Sequence, residues 1–445
     1  MMELPISTRR QALDDALARL ARLHPKKIDL SLGRLQRLLT ALGSPQDQLP
    51  PTIHVAGTNG KGSTCAILAE MARANGERVH MYTSPHLVDF NERIMLDSRP
   101  VEDRMLIEAF ARCEAANFGE PITFFEITTA AAFLLFSEHP ADRLILEVGL
   151  GGRFDATNVL PKPALSVITP ISIDHQDFLG DKLDDIAREK AGILKFGVPA
   201  VIGNQEAAVA DVLMEEAQRV GAPTFIWGRD FRAYPQHGRL VYEDETRVWD
   251  MPSPALIGPH QILNSGAAAA CAAVLQWPEH VVADGISKAQ WPGRLQSITG
   301  GPLGEIAREA GAELWLDGGH NVAAAAALSH ALADMDERED RPLVMIVGFS
   351  ENKDANAWCS QFAGLARRLI AVEFKAGRGG SQTANKVAAA SKSAGVPAEV
   401  ATGLIQAVKN AAREHPAPRI LIGGSLYLAG EALALGGMPP QSTPG

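Results

Sequence analysis

The stretch Thr52–Thr64, TIHVAGTNGKGST, constrains the fold more than any other part of the chain. Ile53, His54 and Val55 read as the end of a buried strand. Gly57, Gly60 and Gly62 then interrupt regular structure, and STCAILAEMARANG from Ser63 onward carries apolar residues at helical spacing. A glycine turn between a strand and a helix start suits phosphate. The backbone curls so that several N–H groups converge, and the helix N-terminus adds positive potential. Lys61 contributes a full charge, and Ser63 places a hydroxyl where a P-loop coordinates magnesium. The spacing here is G-x-x-G-K-G-S rather than G-x-x-x-x-G-K-[ST]. A glycine loop with an accidental lysine is the plainer alternative; the strand–loop–helix context favours an ATP site.

Further strands follow the same plan. RVHMYTSPHL ends a strand at Tyr82, DRLILEVG is a continuous apolar strand with Glu147 near its end, and ALSVIT precedes Asp174 and His175. Helices are predicted over residues 7–23, after Lys26 through Leu39, over Glu102 to Asn117, after Thr-Phe-Phe-Glu as far as Phe136, and over Gly258 to Leu275, the last capped by His-Gln-x-x-Asn. Alternation of strand and helix predicts an α/β fold with a doubly wound, mostly parallel sheet whose ligands bind beyond the strand C-termini. Glu147 and His175 then fall at the P-loop edge. Between Pro223 and Pro254 the short runs TFIWG, RLVYED and TRVWDM predict a small antiparallel excursion. WPGRLQSITGG is a candidate linker, dividing the chain into residues 1–295 and a smaller Rossmann-like α/β domain, 296–445, with strands at ELWL, PLVMIV, RLIAVEF and RILIGG and a frayed tail.

At 445 residues the chain exceeds one ordinary core. A net charge of −10 argues against a general nucleic-acid surface. Four scattered cysteines without C-x-x-C spacing read as reduced thiols. The charged start MMELPISTRR has no apolar run of a secretory leader, and no membrane-length apolar run occurs. The expectation is a cytoplasmic enzyme.

Ser84, Glu147 and His175 are three candidate metal ligands around the phosphate end, although a turn serine, a solvated strand end and a satisfied histidine would explain each singly. An imidazole in the set makes magnesium less obvious than a transition metal. Lys190 lies in DKLDDIAREKAGIL on the same helix face as Leu183, Ile186, Ile193 and Leu194. A lysine on an inward stripe either snorkels to water or sits neutral. A neutral amine beside the metal site can react with carbon dioxide to form a carbamate. Asn264, Arg294, Asp317 and His320 fall around the seam between the two halves, Asp317 and His320 on a strand-end loop suited to nucleotide contacts. Phe124, Phe125 and the RFDATN segment, Arg153 to Asn158, would frame a flat heterocycle, with plain core as the alternative for the phenylalanines.

GTNGKGST, SPHLVDFNERI, TFFEITTAAAF, EVGLGGRFDATNV, ITPISIDHQDFLGDKLDDIAREKAGI, HQILN, PGRLQ, LDGGHN and GGSLYLAG occur in the order seen in folylpolyglutamate synthases. From about Ile28 to Ala429 the chain resembles the bacterial bifunctional dihydrofolate synthase/folylpolyglutamate synthases, relatives of the Mur ligases. The resemblance implies a Mur-ligase-like central domain in which Asn59, Gly60, Lys61, Gly62 and Ser63 hold the ATP phosphates. Ser63 would stand near one magnesium, and Ser84, Glu147 and His175 would hold a second. It makes Lys190 a carbamylated lysine, and Asn264, Arg294 and Asp317, with His320 nearby, nucleotide contacts. Asp29, Leu30, Ser31, Leu32 and Arg34, with Thr83, Phe124, Phe125, Arg153, Phe154 and Asp155, resemble the pterin-binding surface. Two departures stand out: Gly319 where alanine is common, and Phe154 where leucine is common. Neither removes a polar group.

The implied reaction is ATP-driven amide formation between dihydropteroate or a folate and L-glutamate through an acyl phosphate, with Lys61, Lys190, His175 and Glu147 at the centre. Two magnesium ions, and a monovalent cation as an optional third, complete the expectation, in a monomer with no nucleic-acid or membrane partner. Polyglutamylation alone, another Mur-type amide ligase, and a P-loop switch that binds ATP without ligating are the rival readings. The pterin-like segments speak against a peptidoglycan ligase, and the Glu147, His175 and Lys190 set is superfluous for a switch.

Overall fold

The computed structural model describes residues 6–23, 29–375 and 380–436. The polar entry at Lys26 and the tail beyond residue 436 lie outside them. Among the described residues the first sheet has eight strands: β1 (Thr52–Ala56), β2 (Val79–Tyr82), β3 (Ile94–Leu96), β4 (Arg99–Pro100), β5 (Arg143–Glu147), β6 (Leu165–Ile168), β7 (Ala200–Ile202) and β8 (Thr224–Ile226). Their order is β4-β3-β2-β5-β1-β6-β7-β8, parallel from β2 to β8, with β3 and β4 added antiparallel at one edge. β1 is central and buried at every position, as expected for a strand covered on both faces.

Side-chain alternation assigns the two faces. Ile53, Val55 and Ile145 pack with Ile67, Leu68 and the alanines of helix Pro259–Val274. Leu144, Leu146 and Tyr82 pack with helix Phe124–Glu138 on the other side. That helix is apolar all round because helix Gly33–Ala41 and helix Asp103–Asn117 cover it in turn. Its start is fixed by a reciprocal cap: Thr123 Oγ1 accepts from Glu126 N at 3.2 Å, and Thr123 N donates to Glu126 Oε2 at 2.7 Å. Such a cap contributes about 1 kcal/mol.

The antiparallel excursion is a three-stranded sheet of β9 (Phe231–Gln236), β10 (Arg239–Asp244) and β11 (Val248–Pro252), laid against helix Pro259–Val274. The expectation is corrected in one respect. Thr224–Ile226 does not belong to this sheet but extends the parallel one beside β7, and the third antiparallel strand is FRAYPQ. Pro235 weakens its strand signal and is tolerated because β9 is an edge.

The third sheet contains β12 (Gln296–Ser297), β13 (Glu313–Leu316), β14 (Leu343–Val347), β15 (Ala366–Ala371), β16 (Ala398–Val400) and β17 (Arg419–Gly423), in the order β12-β13-β17-β14-β15-β16. Only the β12–β13 pair is antiparallel among the described pairings. Its two faces carry separate cores, one around Trp358 and Phe362, the other around Leu303, Leu404 and Leu428. The C-terminal ends of β1, β5 and β6 and that of β13 open onto one cleft. No described helix is long and apolar enough to cross a membrane.

Candidate functional site

The cleft encloses about 300 Å³ and is lined by Gly57 to Ser63, Ser84, Glu147, Asp174, His175 and Lys190 from the first sheet. Asn264, Arg294, Asp317, His320 and Asn321 line it as well. The phosphate, metal and nucleotide residues expected from the sequence are thus brought to one place. The helix begins at Lys61, two residues earlier than its apolar spacing suggests, with Gly60 as N-cap in the left-handed region at φ 84°. A Cβ at Gly62 would sit 2.6 Å from the Trp291 indole nitrogen, so only glycine lets the loop pack under that ring. The His-Gln-x-x-Asn segment does not cap its helix as expected. Gly258 is the N-cap without a side-chain bond and Pro259 opens the first turn. Gln261 and Asn264 instead point at the loop: Gln261 Nε2 donates to Ser63 Oγ at 3.3 Å and Asn264 Nδ2 to Gln261 Oε1 at 2.9 Å.

Lys61 Nζ folds back onto its own loop, donating to the Gly57 and Thr58 carbonyls at 3.1 and 3.3 Å. Lys190 Nζ reaches the same Gly57 carbonyl at 2.9 Å. Burial, then the charge of Lys61, brings the Lys190 amine down to about 7. The inward stripe of its helix is Ile186, Ala187, Lys190 and Ala191. Glu147 is buried at the end of β5 and forms no ion pair among the described residues. Burial raises its carboxyl, partly offset by Lys61 and by the Ser84 N–H, which donates to Oε2 at 3.0 Å. A buried carboxylate with no ion pair among the described residues, lining the same cleft as Ser63, is an oxygen donor set that fits a hard divalent ion.

His175 is grouped otherwise. Its ring shares a cluster with Asp174 and His320, their ligand atoms all within 4.8 Å of one another. Asp174 is the hub. Its Oδ1 accepts from Lys353 Nζ at 2.6 Å and from His175 N at 2.8 Å. Its Oδ2 lies 3.3 Å from His320 Nε2 and accepts from Asn321 Nδ2 at 3.2 Å. Burial alone would raise the Asp174 carboxyl, but the hydrogen bond and charge of His320, with His175 and Lys353, hold it well below the carboxylate range. Asn321 Nδ2 also donates to Asn59 Oδ1 at 3.0 Å, and Asn59 Nδ2 to Ser172 Oγ at 3.1 Å. Asp317 binds backbone on both oxygens, from Gly319 N at 2.7 Å and Leu295 N at 2.9 Å. Arg294 is held to the Gly293 carbonyl at 3.1 Å. Asp174, Asn321 and Lys353 are not among the site residues the sequence singles out, although IDHQD, LDGGHN and ENKD contain them.

The residues expected at a pterin surface do not line this cleft. Thr83 borders a small adjoining recess with Ser84, Trp291 and Arg294. Arg34 ties the Asp29–Leu32 segment to the capped helix, pairing with Glu126 at 3.0 Å and with Asp29 at 3.1 Å. Leu30 packs against the core around Leu179, Ser31 is half-buried, and Leu32 is the N-cap of helix Gly33–Ala41. Phe124 is buried in the core, edge-on to Phe90, while Phe125 stands over Gly149, leaving no room there for a Cβ. Asp155 is buried and structural: it accepts from Leu150 N and Thr157 N, each at 2.9 Å, and from the Thr157 hydroxyl at 2.5 Å. Arg153 lies near Glu189 at 3.7 Å, and Phe154 is 45% exposed.

The Gly57–Ser63 loop, two lysines on one carbonyl and a buried carboxylate line a cleft that the first and third sheets share, the arrangement expected of a Mur-type ligase. Residues 55–272 match the Mur ligase middle domain, and residues 305–435 match the dihydrofolate synthetase C-terminal domain. The chain is 36% identical over 360 residues to the folylpolyglutamate synthase of Lacticaseibacillus casei, covering 76% of this chain and 78% of that one. To the dihydrofolate synthase/folylpolyglutamate synthase of Bacillus subtilis it is 36% identical over 314 residues, covering 65% and 69%. Among solved structures, E. coli FolC in complex with DHPP and ADP superposes with a TM-score of 0.85 at 28% identity, covering 95% and 97% of the two chains. The Mycobacterium tuberculosis folylpolyglutamate synthase complexed with ADP and AMPPCP gives 0.85 at 30%, covering 97% and 100%. The chain belongs to the dihydrofolate synthase/folylpolyglutamate synthase family and is a ligase.

Proposed function

We propose that the chain joins L-glutamate to dihydropteroate, giving dihydrofolate, and to tetrahydrofolate, extending its glutamate tail, with ATP consumed through an acyl phosphate. The observation that carries this is the Lys190 amine, buried on the P-loop carbonyl of Gly57 in the cleft that Glu147 also lines, in a member of this family.

A carboxylate is a poor electrophile, so the terminal phosphoryl of ATP is first transferred to it. Such transfer needs positioning and charge neutralisation more than a covalent protein group. Asn59, Gly60, Lys61, Gly62 and Ser63 cradle the phosphates, with Lys61 exchanging its two backbone carbonyls for phosphate oxygens. Arg294 approaches from the other side, and Asn264, Asp317 and His320 hold the nucleoside end. Ser63, and separately Ser84, Glu147 and His175, would hold two magnesium ions, which supply Lewis-acid polarisation and charge neutralisation when bound. Lys190 in carbamate form turns a buried cation into an anion for that cationic site. The glutamate amine then attacks the acyl phosphate and phosphate leaves from the tetrahedral intermediate.

The pterin surface comprises Asp29 to Leu32, Arg34, Thr83, Phe124, Phe125 and Arg153 to Asp155, with Phe154 and Phe125 offering rings and Arg34 and Asp155 holding the walls in place. Residues 1–295 carry the P-loop and pterin surface and residues 296–445 close over them. We place the enzyme in the cytoplasm as a monomer, with a monovalent cation as an optional third ion. Transfer of ¹⁸O from a labelled folate carboxylate to inorganic phosphate tests the acyl phosphate; phosphate free of label contradicts it.

A further inference from the structure

We propose that Lys353 is a positioning residue: from the loop after β14 it holds the Asp174 carboxylate in the register that sets His175 and His320. The first and third sheets then make one working site only while this ion pair stands. The proposal rests on the reading of the cleft as the ligase centre, and goes beyond it by naming the contact that aligns its two walls.

Three features of the geometry support it. First, the pair is desolvated, with the side chains of Lys353 and Asp174 only 13% and 10% exposed and 2.6 Å apart. Losing one partner of such a pair strands the other charge away from water. Second, the two Asp174 oxygens have divided tasks. Oδ1 takes Lys353 and the backbone N–H of His175, while Oδ2 meets His320 and Asn321. Lys353 therefore fixes the rotation of the carboxylate, and the carboxylate fixes both histidine-bearing loops. His175 is itself left-handed, at φ 55°, a conformation that a non-glycine residue keeps only when its surroundings hold it. The bond from its N–H to Oδ1 is part of that hold. Third, the lysine is delivered by a rigid loop. Gln382, itself buried, donates through Nε2 to the carbonyls of Lys353 at 2.7 Å and Ser350 at 3.1 Å.

A lysine whose charge is satisfied by Asp174 acts through it, which separates this role from direct contact with substrate. Four variants test the difference: Lys353→Met, Lys353→Arg, the isosteric Asp174→Asn, and the Lys353→Met/Asp174→Asn double. Amide hydrogen exchange on nucleotide-free protein should quicken at residues 172–176 and 318–322 in both Lys353→Met and Asp174→Asn, with β14 and β15 unchanged. The kcat for ligation should fall about 10- to 100-fold in each, with KM for ATP and glutamate moving less than about threefold. The double variant should be no worse than the poorer single one, and Lys353→Arg should recover most of the rate. Additive losses, unchanged exchange, or a rise confined to the glutamate KM would overturn the proposal. If the wild-type protein ligates nothing, the functional reading fails, and the exchange data still decide the ion pair.

Discussion

Lys190 and Lys61 donate to the same acceptor, the carbonyl oxygen of Gly57, at 2.9 and 3.1 Å. Two cations converging on one backbone oxygen repel each other, and burial removes the water that would screen them. Under the proposed function, phosphate at the loop would give Lys61 a better partner, and loss of the proton, or conversion to a carbamate, would relieve Lys190. In the proposed reaction, ATP at the loop and a carbamate on Lys190 would both relax this charge arrangement.

The pH dependence follows from the Lys190 value. With the amine brought down to about 7, kcat/KM should climb with pH up to about 7 and level off above it, and added bicarbonate should raise the acid-side rates. For stability the sign is that of a lysine depressed on folding. Burying the ammonium opposes folding in full below about 7, and the penalty fades as pH rises from there towards 10.5. Lys190→Met should therefore be inactive yet more stable than the parent by on the order of a few kcal/mol on the acid side, with the gain shrinking in alkali. Urea unfolding across that range reads it; a gain that grows with pH contradicts it.

In the proposed reaction, Lys61→Ala removes the charge that would neutralise the transferring phosphoryl. Ligation should fall by about 10³-fold or more while the far-UV spectrum stays that of the parent. Retained turnover would show that the loop is not the phosphate cradle.

Gly62→Ala places a methyl group 2.6 Å from the Trp291 indole nitrogen. The ring or the loop must move; the loop lines the cleft and the ring lines the recess adjoining it. Nucleotide affinity, read by calorimetry, should weaken about tenfold, with less effect on the folate KM. Unchanged affinity would mean that the ring yields freely.

The strand–loop–helix around Lys61 was legible because hydrophobic period and glycine punctuation change together within a dozen residues. The parallel sheet was legible for the same reason: β5 and β6 are short apolar runs that end on polar groups. The fold of FRAYPQ was not, because Pro235 reads as a breaker until its edge position is known. Asp174 and Lys353 stand 179 residues apart, and no local pattern announces a contact at that distance. The pterin-like segments illustrate the opposite problem. Phe124, Arg34 and Asp155 look like ligands in the sequence, and in the structure their first duties are packing, an ion pair and a turn.

That duty can be measured at Arg34. Its guanidinium, 19% exposed, faces Glu126, 4% exposed, at the start of the capped helix. Arg34→Met should lower stability by about 2–3 kcal/mol, less than a sealed pair because the arginine keeps some water. Denaturant melts without substrate read this directly. Parental stability with a raised folate KM would instead make Arg34 a pure substrate contact.

The proposed enzyme glutamylates two acceptors at one site. The most direct measurement is a paired assay of the purified protein with ATP, magnesium and L-glutamate, supplying dihydropteroate in one arm and tetrahydrofolate in the other. ADP and the glutamylated product should appear together in both arms. ADP and product with tetrahydrofolate but not with dihydropteroate would contradict the dual activity, and silence in both arms would contradict the ligase assignment of this site to folates.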